Sequence, residues 1–163
     1  MNTNLLILGG GQYGSLVCEI AESIDVFGTI SFLDDGVCQR AIGTFSDARE
    51  LTQKYSHAIV ALGNSKVRLF WIEKLLEWGY VIPTLIHSTA YVSPSASIGI
   101  GSIIEPMAVV NTGAVIGKGC LVSAGAVINH NAIVEDGCHI DCNATVSARD
   151  IISQHTKIPS PLY

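Results

Sequence analysis

The second half of the chain repeats every six residues, and this repeat constrains the fold more than any other feature. Every sixth residue from Val92 onward is Ile or Val, and the residue four places later is small in the first nine repeats. An amphipathic helix has a period of 3.6 residues, so the repeat excludes one. The aliphatic positions are Val92, Ile98, Ile104, Val110, Ile116, Val122, Ile128, Val134, Ile140, Val146, Ile152 and Ile158. The second positions are Ala96, Ser102, Ala108, Ala114, Cys120, Ala126, Ala132, Cys138, Ala144, Asp150, Thr156 and Leu162.

This repeat predicts a parallel β-helix in which three short strands make one coil of about 18 residues. The branched residue points inward and stacks on its equivalent in the next coil, about 4.8 Å away. The small residue lies where the interior narrows, because a bulky side chain there would overpack the core. We place this domain at residues 89–163 and expect four coils from Val92 to Tyr163.

Residues 1–88 read as a small α/β domain. Apolar runs near residues 5–8, 28–33, 58–62 and 81–86 alternate with helical patterns. This alternation predicts a parallel sheet that holds its ligand at the carboxyl ends of its strands. The domain is about half the size of a full dinucleotide fold, which favours a nucleotide-sugar and disfavours an NAD-dependent dehydrogenase.

A glycine-rich loop follows the first strand. Gly9, Gly11 and Gly14 fit the pattern G-x-G-x-x-G, with Gln12 and Tyr13 between the last two. Such a loop lets backbone N–H groups approach a diphosphate at a helix N-terminus. The alternative is a tight strand–helix turn without a ligand.

Polar residues follow two other strands of this sheet. Asp34 and Asp35 could bind ribose hydroxyls, or could form a turn that bonds its own backbone. Gly63 and Asn64 could meet the same ligand, or serve only as a helix entry. Arg68 could reach a phosphate, or could be solvated.

His130 is the candidate general base. It lies two places after an inward residue, so we expect it near an outward corner, and an ordinary histidine pKa suits proton transfer at neutral pH. The alternative is a solvated surface histidine. Cys120 and Cys138 are both at small inward positions, so we interpret them as packed thiols and predict no metal site near His139.

The composition of the chain limits its binding partners and its location. A net charge of −5 argues against nucleic acid or an anionic membrane as the main partner. The chain has no uninterrupted apolar run of 18 residues, and its apolar start is too short for a signal-peptide core. The chain has five cysteines, an odd number, and we interpret them as free thiols of a reducing compartment. We therefore expect a cytoplasmic protein.

Taken together, these segments resemble the bacterial hexapeptide-repeat acyltransferases that include sialic acid O-acetyltransferases and N-acetyltransferases of nucleotide-linked 4-amino-sugars. The resemblance covers nearly the whole chain. It rests on the stretches at residues 6–14, 32–35, 60–64, 85–88, 92–96 and 127–131, together with His139.

The resemblance implies a left-handed β-helix, a homotrimer, and a nucleotide-sugar held by the N-terminal domain. It also implies that acetyl-CoA lies along the β-helix near a subunit interface. The catalytic histidine of the family matches His130, and its second histidine, near the transferred acetyl group, matches His139.

Three features of the sequence depart from the family pattern. Tyr13 replaces a frequent histidine of the loop, and Asn131 replaces a frequent acidic neighbour of the catalytic histidine. Relatives continue for further coils, whereas this sequence stops at Tyr163. A truncated chain, a short branch of the family and impaired CoA binding all stay open as explanations.

The resulting hypothesis is transfer of acetyl from acetyl-CoA to the C4 amine of a UDP- or dTDP-linked 4-amino-6-deoxysugar, as in O-antigen or glycan biosynthesis. His130 would be the general base, supported by Asn131. The backbone N–H of Ala148, one 18-residue step from His130, would stabilise the oxyanion. The alternatives are O-acetylation of a sialic acid and a catalytically impaired trimer that only binds the nucleotide-sugar.

Overall fold

The computed structural model describes residues 3–161, and the chain divides into two compact units, residues 1–83 and 84–163. In residues 3–161, no helix has the length and apolar character needed to cross a membrane. The assignment of separate tasks to domains 1–88 and 89–163 stays a prediction.

The first unit is built on a three-stranded parallel sheet. Its strands are β1 (Leu5–Leu8), β2 (Ile30–Leu33) and β3 (His57–Val60), in the order β2-β1-β3. The central strand, β1, is completely buried, as its uninterrupted apolar sequence requires. Because the strands are parallel, the loops that follow all three leave the sheet at one edge.

Among residues 3–83, two helices and one 3₁₀ helix complete this unit. Helix α1 (Gln12–Ile24) follows β1, the 3₁₀ helix (Phe45–Glu50) follows β2, and helix α2 (Ser65–Glu77) follows β3. Asn64 caps α2 by accepting the Val67 N–H through its side-chain oxygen.

The prediction of one strand over residues 81–86 is wrong. Val81 forms one isolated bridge with His57, whereas β4 (Leu85–Ile86) pairs with Ile103–Ile104 in the second unit. Pro83 lies between them and cannot donate a ladder hydrogen bond, which explains why no continuous strand forms.

The second unit is a parallel β-helix of about four coils, as predicted. Each strand pairs in parallel with the strand 18 residues later, so the strands stack into three sheets, named here face 1, face 2 and face 3. Face 1 contains β4 (Leu85–Ile86), β7 (Ile103–Ile104), β10 (Leu121–Val122), β13 (His139–Ile140) and β16 (Lys157–Ile158). Face 2 contains β5 (Tyr91–Val92), β8 (Val109–Val110), β11 (Val127–Ile128) and β14 (Thr145–Val146). Face 3 contains β6 (Ser97–Ile98), β9 (Val115–Ile116), β12 (Ile133–Val134) and β15 (Ile151–Ile152).

The interior of the β-helix follows the six-residue pattern. The aliphatic positions from Ile104 to Val146 are buried, and the small residues from Ala108 to Ala144 share the same core. Burial weakens at Ile152 and Ile158, where the second positions are no longer small. Leu162 lies outside the described residues.

Tight corners join the faces. Asn131 and Arg149 occupy equivalent corner positions between faces 2 and 3 and have left-handed backbones, with φ of 58° and 67°. Asparagine tolerates this conformation because its short polar side chain bonds locally. These corners place the residues beside them, His130 among them, at the outer rim of the coil.

Candidate active site

The glycine loop makes a close turn at the carboxyl end of β1. Gly9 has a φ of 113°, and a Cβ there would lie 2.6 Å from the Ala61 carbonyl oxygen. A Cβ on Gly14 would collide with the Gly9 carbonyl. Only glycine fits these two positions, so the pattern has a structural reason that is independent of any ligand.

The start of α1 nevertheless has unused donors. Gly11 is the N-cap and offers no side-chain hydrogen bond, and a Cβ there would meet open space. Within residues 3–161, the backbone N–H groups of Gly11 and Gln12 have no hydrogen-bond acceptor. Together with the helix dipole, such groups can receive an anion.

Asp34 and Asp35 lie beside this loop, as the sheet topology predicts. Asp34 Oδ2 accepts the Gly10 N–H at 2.6 Å, and its Oδ1 accepts the Gly36 N–H at 2.8 Å. Asp35 Oδ1 accepts the Phe45 N–H at 2.8 Å. Both carboxylates are thus hydrogen-bonded to backbone N–H groups of this unit, and a role in ribose binding stays a prediction.

The loop after β3 is held by hydrogen bonds from the start of helix α2. The Asn64 side-chain oxygen already accepts the Val67 N–H that caps α2. Arg68 is fully buried, and its Nη1 donates to the carbonyl oxygens of Leu62 at 2.6 Å and Gly63 at 3.1 Å. The structure thus gives Arg68 a role in the turn, and its predicted contact with phosphate remains untested.

Arg40 also reaches the glycine loop, which the sequence reasoning missed. Its Nη2 donates to the carbonyl oxygens of Gly10 at 2.9 Å and Gly11 at 3.1 Å, and to Ser15 Oγ at 2.6 Å. Its guanidinium lies 4.0 Å from the centre of the Phe32 ring. A single arginine after an Asp-Asp-Gly turn carries no sequence signal for such a contact.

His130 occupies an exposed corner between faces 2 and 3. Its backbone N–H donates to Asn129 Oδ1 at 2.8 Å, and its Nδ1 lies 3.2 Å from Asn131 Nδ2. The imidazole is thus open to solvent and in hydrogen-bond contact with Asn131.

The next coil places backbone N–H groups beside the same corner. The Arg149 N–H donates to the His130 carbonyl oxygen at 3.2 Å. Among the described residues, the Ala148 N–H has no hydrogen-bond acceptor. This N–H can therefore donate a hydrogen bond to an oxygen that develops negative charge, without breaking a bond within the chain.

His139 begins β13 on face 1 and is half-buried. Its Nε2 lies 3.1 Å from Ser123 Oγ and 3.9 Å from Asp141 Oδ1. Lys157 Nζ lies 2.9 Å from Asp141 Oδ2, and this hydrogen bond is the main reason why the pKa of Asp141 is lowered.

The two histidines lie on opposite sides of the β-helix. His130 is at the corner between faces 2 and 3, and His139 is on face 1. Because three faces close each coil, the corner between two of them is opposite the third. One copy of the chain therefore cannot bring both imidazoles into the same site.

A groove of about 520 Å³ lies on face 3. Its lining includes the aliphatic side chains of Val115 and Ile133 and the carboxylates of Glu135 and Asp136, but none of the predicted site residues. In the part of the chain that the structure describes, no cluster of His, Cys, Asp and Glu could hold a metal ion. Cys120 and Cys138 are buried thiols that take part in no disulfide.

Comparison with known proteins decides the family. Residues 4–75 match the model of the PglD N-terminal domain. A search of curated proteins gave no significant match. Over 96% of this chain and 85% of the other, the fold is similar to the acetyltransferase domain of PglB from Neisseria gonorrhoeae, with 31% sequence identity and a TM-score of 0.84.

The chain belongs to the hexapeptide-repeat acetyltransferases of this family. It is an acyltransferase with the left-handed β-helix that the family resemblance implied. The same PglB domain solved with acetyl coenzyme A is 30% identical, with a TM-score of 0.81 over 96% of this chain and 85% of that one.

A more distant protein shares the fold. PerB from Caulobacter crescentus, solved with CoA and GDP-perosamine, is 20% identical over 92% of this chain and 91% of that one, with a TM-score of 0.62. The fold is thus similar at low sequence identity, which fits a fold determined by core columns and tight turns.

Proposed function

We propose that this acetyltransferase transfers the acetyl group of acetyl-CoA to the C4 amine of a nucleotide-linked 4-amino-6-deoxysugar, with His130 as general base. The observation that carries the proposal is the exposed corner imidazole of His130 beside the unused Ala148 N–H, in a chain 31% identical to an acetyltransferase domain. PerB, solved with CoA and GDP-perosamine, supports an amino-sugar acceptor.

In this mechanism, His130 removes a proton from the amine as the amine nitrogen attacks the thioester carbon. The imidazole must then hold its own proton on Nδ1, so that Nε2 can accept. Asn131 supports this form when its side-chain oxygen faces Nδ1, because an amide exchanges its oxygen and nitrogen by a half-turn with little change of shape.

Attack on the thioester forms a C–N bond and places negative charge on the carbonyl oxygen. The Ala148 N–H donates to that oxygen. The C–S bond then breaks, and the CoA thiolate leaves with the proton that His130 accepted. No covalent acyl-enzyme is needed, because positioning makes the attack effectively intramolecular.

The N-terminal unit binds the nucleotide portion of the sugar substrate. The unused N–H groups of Gly11 and Gln12 suit a diphosphate at the start of α1. The loop side chain Tyr13 and the carboxylates of Asp34 and Asp35 lie at the same edge of the sheet, where a nucleoside would continue from the diphosphate. We propose UDP or dTDP as the nucleotide.

The enzyme works as a cytoplasmic homotrimer. Two observations support assembly: His130 and His139 need two copies to meet, and face 3 exposes an aliphatic stripe. The stripe consists of Val115, Ile133 and Ile151, at 18-residue steps. Packing this stripe against a second copy would remove it from water, and acetyl-CoA would lie near that interface with His139 beside its acetyl group.

An acceptor panel tests this function. The purified chain is incubated with acetyl-CoA and, separately, with UDP-, dTDP- and GDP-linked 4-amino-6-deoxysugars, their 4-hydroxy analogues and sialic acid, and products are read by mass spectrometry. Acetylation of a UDP- or dTDP-linked amine supports the proposal. Acetylation only of hydroxyl acceptors supports the O-acetyltransferase, and sugar-nucleotide binding without acetyl-CoA binding by calorimetry supports the impaired binding protein.

A further inference from the structure

The β-helix contains a buried carboxylate that the proposed mechanism does not use. Glu105 follows β7 on face 1, and only 3% of its surface is exposed. Its Oε2 accepts the Ala124 N–H at 3.0 Å. A buried carboxylate is costly unless several hydrogen bonds stabilise it, so its remaining contacts carry information.

A hydrogen-bond chain links this carboxylate to His139. The Ser123 hydroxyl donates to Glu105 Oε1 at 3.3 Å, and Ser123 Oγ lies 3.1 Å from His139 Nε2. A hydroxyl has one hydrogen, which Ser123 has already given to the carboxylate. Ser123 can therefore only accept from His139, so Nε2 is the nitrogen that bears the proton.

Other charged groups near the imidazole favour the same arrangement. Asp141 Oδ1 lies 3.9 Å from Nε2, on the side where the proton is placed, and Lys157 on β16 pairs with the other oxygen of Asp141. His87 occupies the position of Glu105 one coil earlier on face 1. The two carboxylates, Glu105 and Asp141, thus both lie at the Nε2 end of the ring.

We propose that Glu105 and Ser123 are positioning residues that fix the proton of His139 on Nε2 and direct Nδ1 toward the acetyl group. The contact with the acetyl group rests on the proposed function, whereas the hydrogen-bond chain does not. The carboxylate stabilises the protonated ring through Ser123, and in that form Nδ1–H donates to the thioester carbonyl oxygen.

Glu105→Gln gives a sharp test because its effect has a direction. The glutamine oxygen keeps the Ala124 N–H, so its NH₂ group faces Ser123 and donates to the hydroxyl oxygen. Ser123 must then turn its hydrogen toward His139, and the neutral ring moves its proton from Nε2 to Nδ1. This one isosteric substitution thereby reverses the direction of both hydrogen bonds that Ser123 makes.

The β-helix supplies a matched control. Glu135 follows β12 as Glu105 follows β7, and its Oε2 accepts the Gln154 N–H, 19 residues later, at 2.9 Å. Glu105 and Ala124 have the same spacing. Glu135→Gln therefore repeats the chemical change at the same sequence spacing, in an exposed carboxylate that bonds the Gln154 N–H and not Ser123.

The tautomer of His139 is read by long-range ¹H–¹⁵N NMR of the full chain with ¹⁵N-labelled histidine, at a pH where the ring is neutral. His139→Gln assigns the signal. We expect Nε2–H in the wild type and in E135Q, and Nδ1–H in E105Q. A wild-type Nδ1–H tautomer, or an E105Q spectrum identical to wild type, overturns the proposal.

Acetyl-transfer kinetics test the positioning role. Without the carboxylate, the His139 ring stays neutral, and its Nδ1–H is a weaker donor to the thioester carbonyl oxygen than that of the protonated ring. We therefore expect kcat to fall about 10-fold to 100-fold in E105Q and Ser123→Ala, the effect of one hydrogen bond to a charged group, with KM for the sugar-nucleotide unchanged. Ser123→Thr keeps the hydroxyl and should recover most of kcat. An unchanged kcat in E105Q overturns the role. A wild-type chain without transferase activity contradicts the proposed function instead, and the NMR result still decides the hydrogen-bond chain.

Discussion

Asn131 Nδ2 lies 3.2 Å from His130 Nδ1, at a corner where Asn131 has a left-handed backbone with φ of 58°. The amide is thus the nearest group that can select the tautomer of the proposed base. An acidic residue at this position could only accept from the imidazole, whereas an asparagine can either accept or donate.

Asn131→Gly should lower kcat by about 3-fold to 10-fold, the effect of one neutral hydrogen bond. Glycine adopts the left-handed backbone without steric cost, so the substitution removes the amide and keeps the corner. Asn143→Gly is the control, because Asn143 has φ of 57° at a corner between faces 1 and 2. If both variants lose the same activity, Asn131 does not act through His130.

The glycine loop separates folding from ligand binding. Gly14→Ala should lower the melting temperature, because its Cβ would collide with the Gly9 carbonyl. Gly11→Ala should melt like wild type but bind the sugar-nucleotide more weakly, since its Cβ enters the open space in front of α1. Calorimetry and thermal melts check both. Undiminished binding by G11A would move the diphosphate away from this helix end.

A larger side chain in the small-residue column of the β-helix should destabilise the fold. Ala126 is fully buried, with Ala108 and Ala144 at the equivalent positions of the adjacent coils. Ala126→Ile should lower the free energy of unfolding by about 1–3 kcal/mol through overpacking. Thr145→Ile, at an exposed position of face 2, should stay within about 0.5 kcal/mol of wild type. Urea unfolding at equal protein concentration compares them, and equal losses would contradict the inward column.

Stability should depend on pH through Asp141. Its hydrogen bond from Lys157 is the main cause that holds the pKa of this carboxyl below its ordinary value, helped by the Cys142 N–H. A lowered pKa stabilises the fold above the unfolded-state value, and this contribution disappears as the pH falls through the folded-state value.

Lys157→Met should therefore melt below wild type at about pH 7, and the difference should shrink as the pH falls below the ordinary aspartate range and through the lowered pKa of Asp141. Lys66→Met, on an exposed position of α2, controls for the loss of a positive charge. A K157M deficit that is the same at every pH would show that Asp141 is not involved.

The sequence predicted the features that repeat or obey strict sterics. The aliphatic and small columns could be read because each coil imposes the same packing every 18 residues, and Gly9 and Gly14 could be read because no other residue fits. The position of His130 at an exposed corner followed from the same repeat.

Contacts made by single long side chains were not predictable. Arg40 crosses from the loop after β2 to the glycine loop, and Glu105 reaches Ser123 and Ala124 on the next coil. Arg68 is buried against the turn that precedes its own helix instead of being solvated. Such contacts depend on rotamers and on neighbours far along the chain, and neither leaves a periodic signal.

The most direct test of the catalytic assignment is the acetyl-transfer rate of His130→Asn, measured with the acceptor identified by the panel. His155→Asn is the matched control, because His155 is a histidine of another corner, with φ of 64°. We predict that kcat of H130N falls about 10²-fold to 10⁴-fold, the usual contribution of a general base, with acetyl-CoA and sugar-nucleotide affinities close to wild type and H155N unaffected. A near-normal kcat for H130N would contradict the mechanism.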